Sequence, residues 1–211
     1  IGTHTSGATG IEVQMGASDG TFGGSVSTNH NNDVETWEHI VATYDGGESG
    51  FDKLVVYVDG ASKTITSTSG TLPTSVNNEN APLRIGNGGF GQSYPFNGKL
   101  LDVAVWNVTL DADTVTSIYN SGSPNDLTES ASYTAGSGVD KSANLKGYWR
   151  CGEDVTFDTV LTVPDSSGQG NHGVSVAGSS MTASDAVGNA PNSGEMVNMD
   201  GGSEIQTETP S

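Results

Sequence analysis

The sequence predicts an all-β protein with one short helix. Short runs that carry Val and Ile at every second position alternate with stretches of Ser, Thr, Asn and Gly, which is typical of strands joined by tight turns. Hydrophobic residues make up 33% of the 211 residues and Gly alone numbers 30, so the chain has little core material and many turns. This length suits one large all-β domain or two small ones.

The first block of the chain, residues 1–128, contains a series of predicted strands. The strongest are WEHIVATY at 37–44 and LVVYV at 54–58, which we expect to pair as an antiparallel ribbon through the loop 45–53. Asp59-Gly60 then closes the second strand with a dipeptide that favours a turn. Weaker strands are predicted at residues 11–15, 63–67, 83–86 and 98–106.

Residues 98–122 combine a strand with the one predicted helix, near 111–120. Leu101, Val103 and Val105 alternate on one face of the strand. Asp111 can then cap a helix, and Gly122 can end it. The helix would bury a stripe formed by Val115, Ile118 and Tyr119.

The rest of the chain divides into a polar stretch and a second block of strands. Residues 129–146 are rich in Ser, Ala, Thr and Gly, which predicts a linker or a surface crossing. Residues 147–211 begin with the strand GYWRC and continue with the extended turn DSSGQGNHG at 165–173. Two short strands are predicted at 196–201 and 204–207.

The charge balance excludes two classes of partner. Acidic residues outnumber basic ones 25 to 7, which gives a formal charge of −18. A nucleic-acid binder needs a basic face, and attraction to an anionic bilayer also needs basic residues. The carboxylates have two interpretations, a solubilising surface, which we favour, or cation binding.

Nothing in the sequence indicates a reactive cysteine or a known catalytic motif. Cys151 is the sole cysteine, so the chain forms no internal disulfide, and we expect this residue to be a small buried hydrophobe. The chain has no metalloprotease, nucleophile-elbow or P-loop motif, and its four histidines are dispersed.

The order of motifs across residues 37–122 resembles a known family. WEHIVATYDG, VYVDG, LRIGN and FNGKLLDVAVWNVTL follow one another as in the laminin-G-like domains of the concanavalin A-like superfamily. The resemblance implies a two-sheet antiparallel jelly-roll sandwich.

The second block resembles the beginning of the same family. GYWRCGE with DSSGQGNHG is similar to its opening strand and loop, and MVNMDGGSEIQT is similar to its next strand. The halves are thus in reversed order, so the chain is either circularly permuted or spans parts of two domains. Residues 147–211 hold too few apolar side chains for a core of their own, which favours one composite sandwich. Trp149 should then be buried with Leu101, Val103 or Val105.

The resemblance implies a domain without enzymatic activity. Glucanases of this superfamily carry two Glu and an Asp at alternate positions of one strand, so that the three carboxylates share a face. No E-x-D-x-E or E-x-D-x-x-E pattern occurs in this chain. We therefore expect no enzyme.

A structural calcium site is one prediction from the resemblance. In related jelly rolls, a loop like DSSGQGNHG is tied by an ion to an Asp of the strand that is here 98–106. This implies Asp102, Asp165 and Asn171 as calcium ligands, and oxygen ligands of this kind suit calcium. The alternative is an Asx turn, in which Asp165 and Asn171 bond to their own backbone.

A ligand patch is predicted at the Gly-rich loop NGGFGQSYPFNG. Phe90, Tyr94 and Phe96 would contact a glycan or a partner there. The alternative, which we favour, is that Tyr94 and Phe96 cover the core. Trp37, Trp106 and Trp149 each fall in a predicted strand and are assigned to the core.

The second block also resembles domains in structural proteins of marine phages. This implies a virion decoration, fibre or adhesion protein, located on a virion surface or outside the cell. Its partners would be other virion or surface proteins, or glycans, and we expect a homo-oligomer or repeated copies. A secreted carbohydrate-binding module is the alternative.

Overall fold

The computed structural model describes residues 2–3, 10–16, 22–30, 36–76, 82–86, 96–151, 155–175, 197–200 and 205–207. In this part of the chain, strands in antiparallel sheets predominate and one α-helix, α1 (Ala112–Tyr119), is present. The strands are β1 (Gly2–Thr3), β2 (Ile11–Gly16), β3 (Phe22–Thr28), β4 (Ile40–Tyr44), β5 (Leu54–Val58), β6 (Ala61–Ser62), β7 (Ile65–Gly70), β8 (Arg84–Ile85), β9 (Asn97–Leu100), β10 (Val103–Trp106), β11 (Leu145–Trp149), β12 (Thr156–Phe157), β13 (Leu161–Val163), β14 (Gly173–Ser175), β15 (Val197–Asp200) and β16 (Ile205–Thr207). Short 3₁₀ turns lie at Asn120–Gly122, Ser130–Ser132 and Ser142–Asn144.

The chain forms two compact units, and each is built from separate segments. The first unit consists of Ile1–Glu79, Thr109–Gly122 and Tyr133–Asp140. The second unit consists of Asn80–Val108, Ser123–Ser132 and Lys141–Ser211. The units do not follow the blocks 1–128, 129–146 and 147–211, because segments that are distant in sequence pair in the same sheet.

The first unit contains two sheets that share one hydrophobic core. Their strand orders are β1-β2-β3-β7 and β4-β5-β6. The first sheet supplies buried residues from β2 and β3, and the second supplies them from β5. The core consists of Ile11, Val13, Val26, Leu54, Val56, Val58 and Leu72. Packing of two antiparallel sheets in this way is the architecture of a β-sandwich.

The predicted ribbon of the first unit is confirmed, but its first strand is shorter than expected. β4 and β5 pair from Ile40↔Val58 to Tyr44↔Leu54. The strand begins at Ile40, and the side chain of Trp37 is 40% exposed. Assigning Trp37 to the core was therefore wrong, since this residue precedes the strand and its indole faces solvent.

The predicted helix near 111–120 is confirmed as α1. Asp111 caps it by accepting a hydrogen bond from the backbone N–H of Thr114 at 2.8 Å, and Val115 is fully buried. The helix ends at Asn120, whose φ of 46° is left-handed, rather than at Gly122 as predicted. No helix in the described residues is long and apolar enough to cross a membrane.

The second unit contains one larger sheet and two strand pairs. The larger sheet has the order β12-β13-β14-β16-β8, and the pairs are β10-β11 and β15-β9. Their buried side chains form one core, which consists of Ile85, Trp149, Cys151, Leu161, Val163 and Ile205, with Phe96, Leu100, Val103 and Val155 packed against it.

The predicted strand 98–106 is divided at Asp102. Its first part, β9, pairs with β15, whereas its second part, β10, pairs with β11. The φ of Asp102 is 53°, a left-handed value that breaks the extended backbone and that Asp tolerates better than most residues. This break sends the two halves to different partners.

The prediction that Trp149 shares a core with the strand 98–106 is confirmed. Val103 lies directly opposite Trp149 in the β10-β11 pair. Trp149 is only 2% exposed, and Val103 packs against the same cluster. The strand that follows the helix in sequence therefore completes the sheet begun before it.

Part of the stretch 129–146 is packed rather than exposed. Tyr133 is fully buried, and the Ser117 hydroxyl of α1 donates a hydrogen bond to the carbonyl of Ala135 at 2.6 Å. Thr114 of the same helix accepts a bond from the N–H of Val139 at 3.0 Å. Residues 133–140 are thereby fixed along α1.

Candidate functional site

The loop 165–173 docks on one edge of β11. Asp165 forms an antiparallel bridge with Trp149, and the N–H of Ser166 donates to the carbonyl of Tyr148 at 2.7 Å. The opposite edge of β11 pairs with β10. The loop therefore lies beside β11, away from β10.

The Asp165 carboxylate is buried and accepts three backbone hydrogen bonds. Oδ1 accepts from the N–H groups of Tyr148 and Ser167, and Oδ2 accepts from that of Asn171, each at 2.9 Å. Burial by itself would raise the pKa of this carboxyl, but the hydrogen bonds from Ser167, Tyr148 and Asn171 outweigh it, so the pKa is lowered. The bond to Ser167 is that of an Asx turn.

The other groups of the loop are also used to hold its shape. The side-chain amide of Asn171 donates to the backbone carbonyl of Lys146 at 3.0 Å. The backbone carbonyl of Asn171 accepts a hydrogen bond from the indole N–H of Trp149 at 2.8 Å. His172 Nδ1 accepts the N–H of Asp165 at 3.1 Å. These bonds connect the loop to β11 and to the core of the second unit.

Asp102 lies at the other edge of β11. Its Oδ1 accepts the hydroxyl of Tyr148 at 2.8 Å and is 3.9 Å from Nε of Arg150. The Tyr148 hydroxyl also donates to the carbonyl of Asn125 at 3.2 Å. Burial, and then the negative charge of Asp102, raise the pKa of Tyr148, so this hydroxyl remains a proton donor.

The structure brings Asp165 and Asn171 together but places Asp102 apart from them. The described residues contain no group of three or more His, Cys, Asp or Glu side chains that could hold a metal. A set of two Asp and one Asn is not a group of that kind, so the calcium site at Asp102, Asp165 and Asn171 stays a prediction.

Of the three aromatic residues in the predicted ligand patch, Phe96 is the one that the structure describes. Phe96 is half-buried and packs against the core of the second unit, and its N–H donates to the carbonyl of Gly86 at 2.7 Å. A Cβ at Gly98 would lie 2.9 Å from Cζ of Phe96, so the ring rests on that glycine. This contact is the one expected if Phe96 covers the core. Phe90 and Tyr94 lie outside the described residues.

Two side-chain contacts made by the residues that follow Trp37 in the sequence were not predicted. Glu38 Oε1 lies 2.9 Å from Nε2 of His30, and both side chains are largely buried. The ring of His39 stacks on that of Tyr119 with centroids 5.7 Å apart. The polar residues Glu38 and His39 within the run WEHI were the one sequence signal for a surface site.

His39 is held in a buried environment beside a carboxylate. Its backbone N–H donates to Oδ1 of Asp59 at 3.0 Å. Burial of the imidazole lowers its pKa, and the charge of Asp59 offsets part of this effect. The imidazole is therefore neutral at pH 7, when it stacks on Tyr119.

Cys151 cannot serve as a nucleophile in this environment. Its side chain is fully buried, as predicted, and belongs to the core of the second unit. Burial raises the pKa of the thiol to about 12, although a hydrogen bond involving the Val103 backbone works in the opposite direction. The thiolate that chemistry would need is absent at neutral pH.

The two packed sheets of the first unit and the antiparallel strands of the second define an all-β protein of the β-sandwich class. The family model of the concanavalin A-like lectin/glucanases superfamily, in its laminin-G form, matches residues 1–116. The chain belongs to this family, as the sequence motifs predicted. No curated protein and no solved structure matches the chain significantly. Domains of this family commonly bind carbohydrates or act as structural modules, and its laminin-G-like members are typically not enzymes.

Proposed function

We propose that the protein is a non-enzymatic structural or adhesion module on a virion surface, as a decoration or fibre component. The observation that carries this proposal is the structural role of the Asp165 carboxylate. Three backbone N–H groups occupy its carboxylate and bind the loop 165–173 to β11. This buried acid of the second unit thus holds a loop against a strand, which suits a structural component of a particle.

The same residue argues against a glycosidase. Such enzymes place two carboxyl groups about 5–9.5 Å apart across the substrate, and one of them has a raised pKa. Asp165 is the one buried acid in the described part of the chain, and its pKa is lowered. We therefore propose a function through binding rather than catalysis.

The net charge bears on the class of partner. With a net charge of −18, copies of the chain repel one another except where a neutral surface is available. Its partners would be other virion or surface proteins, or glycans, rather than nucleic acid or membranes.

Labelling of intact particles tests this proposal. An antibody against the purified chain should label the outside of virions made from the genome that encodes it, seen by immuno-electron microscopy. Pre-absorbing the antibody with the protein is the control. Labelling confined to the host cell interior would contradict the proposal, as would release of sugars from glycans by the purified protein.

The second candidate function, carbohydrate binding, is favoured by Trp37. An indole that is 40% exposed can stack on a sugar ring, and polar residues that adjoin it in the sequence, such as Glu38, can bond the hydroxyls of a sugar. Trp37→Ala should remove any signal on a glycan array, as should Phe90→Ala or Tyr94→Ala if the predicted patch binds. Val139→Ala, at another exposed apolar residue of the first unit, is the control. No glycan signal for the unmodified chain would contradict this candidate.

A further inference from the structure

The edge strand β7 of the first unit is unusually exposed. It ends the sheet β1-β2-β3-β7 and, among the described residues, pairs with β3 alone. Five of its six residues are exposed, and only Ile65 is half-buried against the core. The outer edge of β7 carries N–H and C=O groups that can pair with another strand.

The sheet extends beyond the core that it covers. Thr68 lies opposite Val26 in the β3-β7 pair, so both side chains are on the same face. Val26 is fully buried, whereas Thr68 is exposed. The hydrophobic core therefore reaches β7 only at Ile65, and the other five residues of β7 are exposed. Among the described residues, no strand covers its outer edge.

The composition of this segment differs from that of the chain as a whole. Residues 60–78 contain one charged residue, Lys63, in a protein of net charge −18. Natural proteins usually protect edge strands with charges, prolines or bulges placed outward. β7, with the sequence ITSTSG, carries no charge or proline, and its one irregularity lies at its start, where the register of the β3-β7 pair shifts between Ser67 and Ile65.

We propose that β7 pairs antiparallel with β7 of a second copy of this chain, so that the sheet continues across a two-fold axis. We assign the partner strand to a second copy of the chain. Two strongly acidic chains can approach closely where both surfaces are uncharged, and the β7 segments of two copies provide such a surface on each side. Ser and Thr side chains also form favourable cross-strand pairs. This inference deepens the proposed function, on which it rests, since a particle component is present in many copies.

The pairing is weak in dilute solution and becomes effective at high local concentration. Two six-residue strands bury less than the roughly 1,200 Å² of a stable interface, so we expect a dissociation constant of about 1 µM to 1 mM. On a particle, neighbouring copies are held close together, and a weak contact then suffices.

Sedimentation equilibrium on the full chain tests the interface. The unmodified protein should form dimers, and Thr68→Asp should weaken the dimer at least about tenfold, because two like charges then meet near the axis. Ser49→Asp, which adds the same charge at an exposed loop position of the first unit, should leave it unchanged. Equal circular dichroism and melting temperature would show that both variants are folded.

Mixing two variants of opposite charge at position 68 supplies the second measurement. An equimolar mixture of Thr68→Asp and Thr68→Lys copies should dimerise at least as well as the unmodified chain, whereas each variant alone should not. A monomeric unmodified chain at about 1 mM, or a Thr68→Asp dimer of unchanged strength, would overturn the proposal. If the mixture of the two variants does not dimerise, β7 does not pair with β7 of a second copy, and the proposal is overturned.

These outcomes are separate from those of the proposed function. Labelling of virions by the antibody together with a monomeric protein would reject the β7 contact and leave the particle location intact. A dimer that is sensitive to Thr68→Asp, in a protein that labels no particle, would reject the particle location and leave the contact intact.

Discussion

Asp165 is the residue on which the loop beside β11 depends. Asp165→Ala leaves the buried N–H of Tyr148 and the half-buried N–H groups of Ser167 and Asn171 without their acceptor. The buried unpaired group costs about 1–3 kcal/mol and water can reach the other two, so we expect the free energy of unfolding to fall by about 2–3 kcal/mol. Urea unfolding followed by circular dichroism measures this loss.

Asp45→Ala is the matched control for this prediction. Asp45 forms the same kind of turn, with Oδ1 accepting the N–H of Gly47 at 2.9 Å, but it is exposed and water can replace its bond. Its loss should stay below about 1 kcal/mol. Equal effects of the two substitutions would contradict the anchoring role of Asp165.

Removing calcium should leave the protein unchanged. Asp165 and Asn171 already bond to backbone groups, and Asp102 lies at the other edge of β11. We therefore expect the same melting temperature with a chelator and with millimolar calcium, and no heat of binding by calorimetry. A calcium-dependent rise in the melting temperature that disappears in Asp102→Asn would instead establish the site predicted from the sequence.

The buried imidazole of His39 gives the protein a pH-dependent stability. Burial lowers its pKa in the folded state, with Asp59 opposing, so the folded protein binds this proton less readily than the unfolded chain. The contribution of His39 to stability is complete above the unfolded pKa of about 6.5 and is lost as the pH falls below it. His39→Phe keeps a ring against Tyr119 and should flatten the stability profile between about pH 5 and 7 relative to the unmodified protein.

At the scale of elements, the conformation of β11 depends on the close contact between Gly147 and the indole of Trp149. A Cβ at position 147 would collide with the indole of Trp149. The indole cannot move away, since it is buried and its N–H is bonded to the carbonyl of Asn171. Gly147→Ala should therefore destabilise the fold by about 1–3 kcal/mol in denaturant unfolding.

Val105→Ala is the control for this element. Val105 lies directly opposite Gly147, but it is 40% exposed, so its truncation should cost less than about 1 kcal/mol. A loss as large as that of Gly147→Ala would mean that pairing, not the indole, limits this position.

The elements that the sequence predicted well are those with a strong local pattern. β5 is a continuous run of apolar, mostly β-branched residues, and α1 has a capping Asp111 together with an apolar stripe, so each is recognisable without its partners. β3, β13 and β14 were missed, because each is short or rich in Gly and Ser and is stabilised by pairing with distant strands. The division at Asp102 depends on Tyr148 and Arg150, 46 or more residues further along the chain.

Prediction of the candidate site has the same limit, because contacts that depend on distant strands leave no local sequence pattern. The Asx turn at Asp165 is local and could be proposed from the sequence, and it is present. The exposure of Trp37 could not be predicted from the run WEHIVATY, because the start of β4 at Ile40 is set by its pairing with Val58. Which edge of β11 each acid occupies also requires the sheet topology.

At the scale of the whole molecule, the chain passes repeatedly between its two units. Residues 109–122 and 133–140 belong to the first unit, although they separate segments of the second. When the first unit is folded, the ends of these two segments are held in place. When it unfolds, both become flexible loops that the second unit must close, at a cost of about 2 kcal/mol each.

This connectivity predicts that the units lose stability together. Val56→Ala removes methyl groups from the core of the first unit, where Val56 is fully buried, and should destabilise that unit by about 2–3 kcal/mol. Because unfolding of the first unit lengthens the loops of the second, amide hydrogen exchange should also accelerate in peptides from β11 and β13. Ser49→Ala, at an exposed loop position of the first unit, should leave that exchange unchanged. Unaltered exchange in β11 and β13 with Val56→Ala would instead mean that the second unit holds its segments without help from the first.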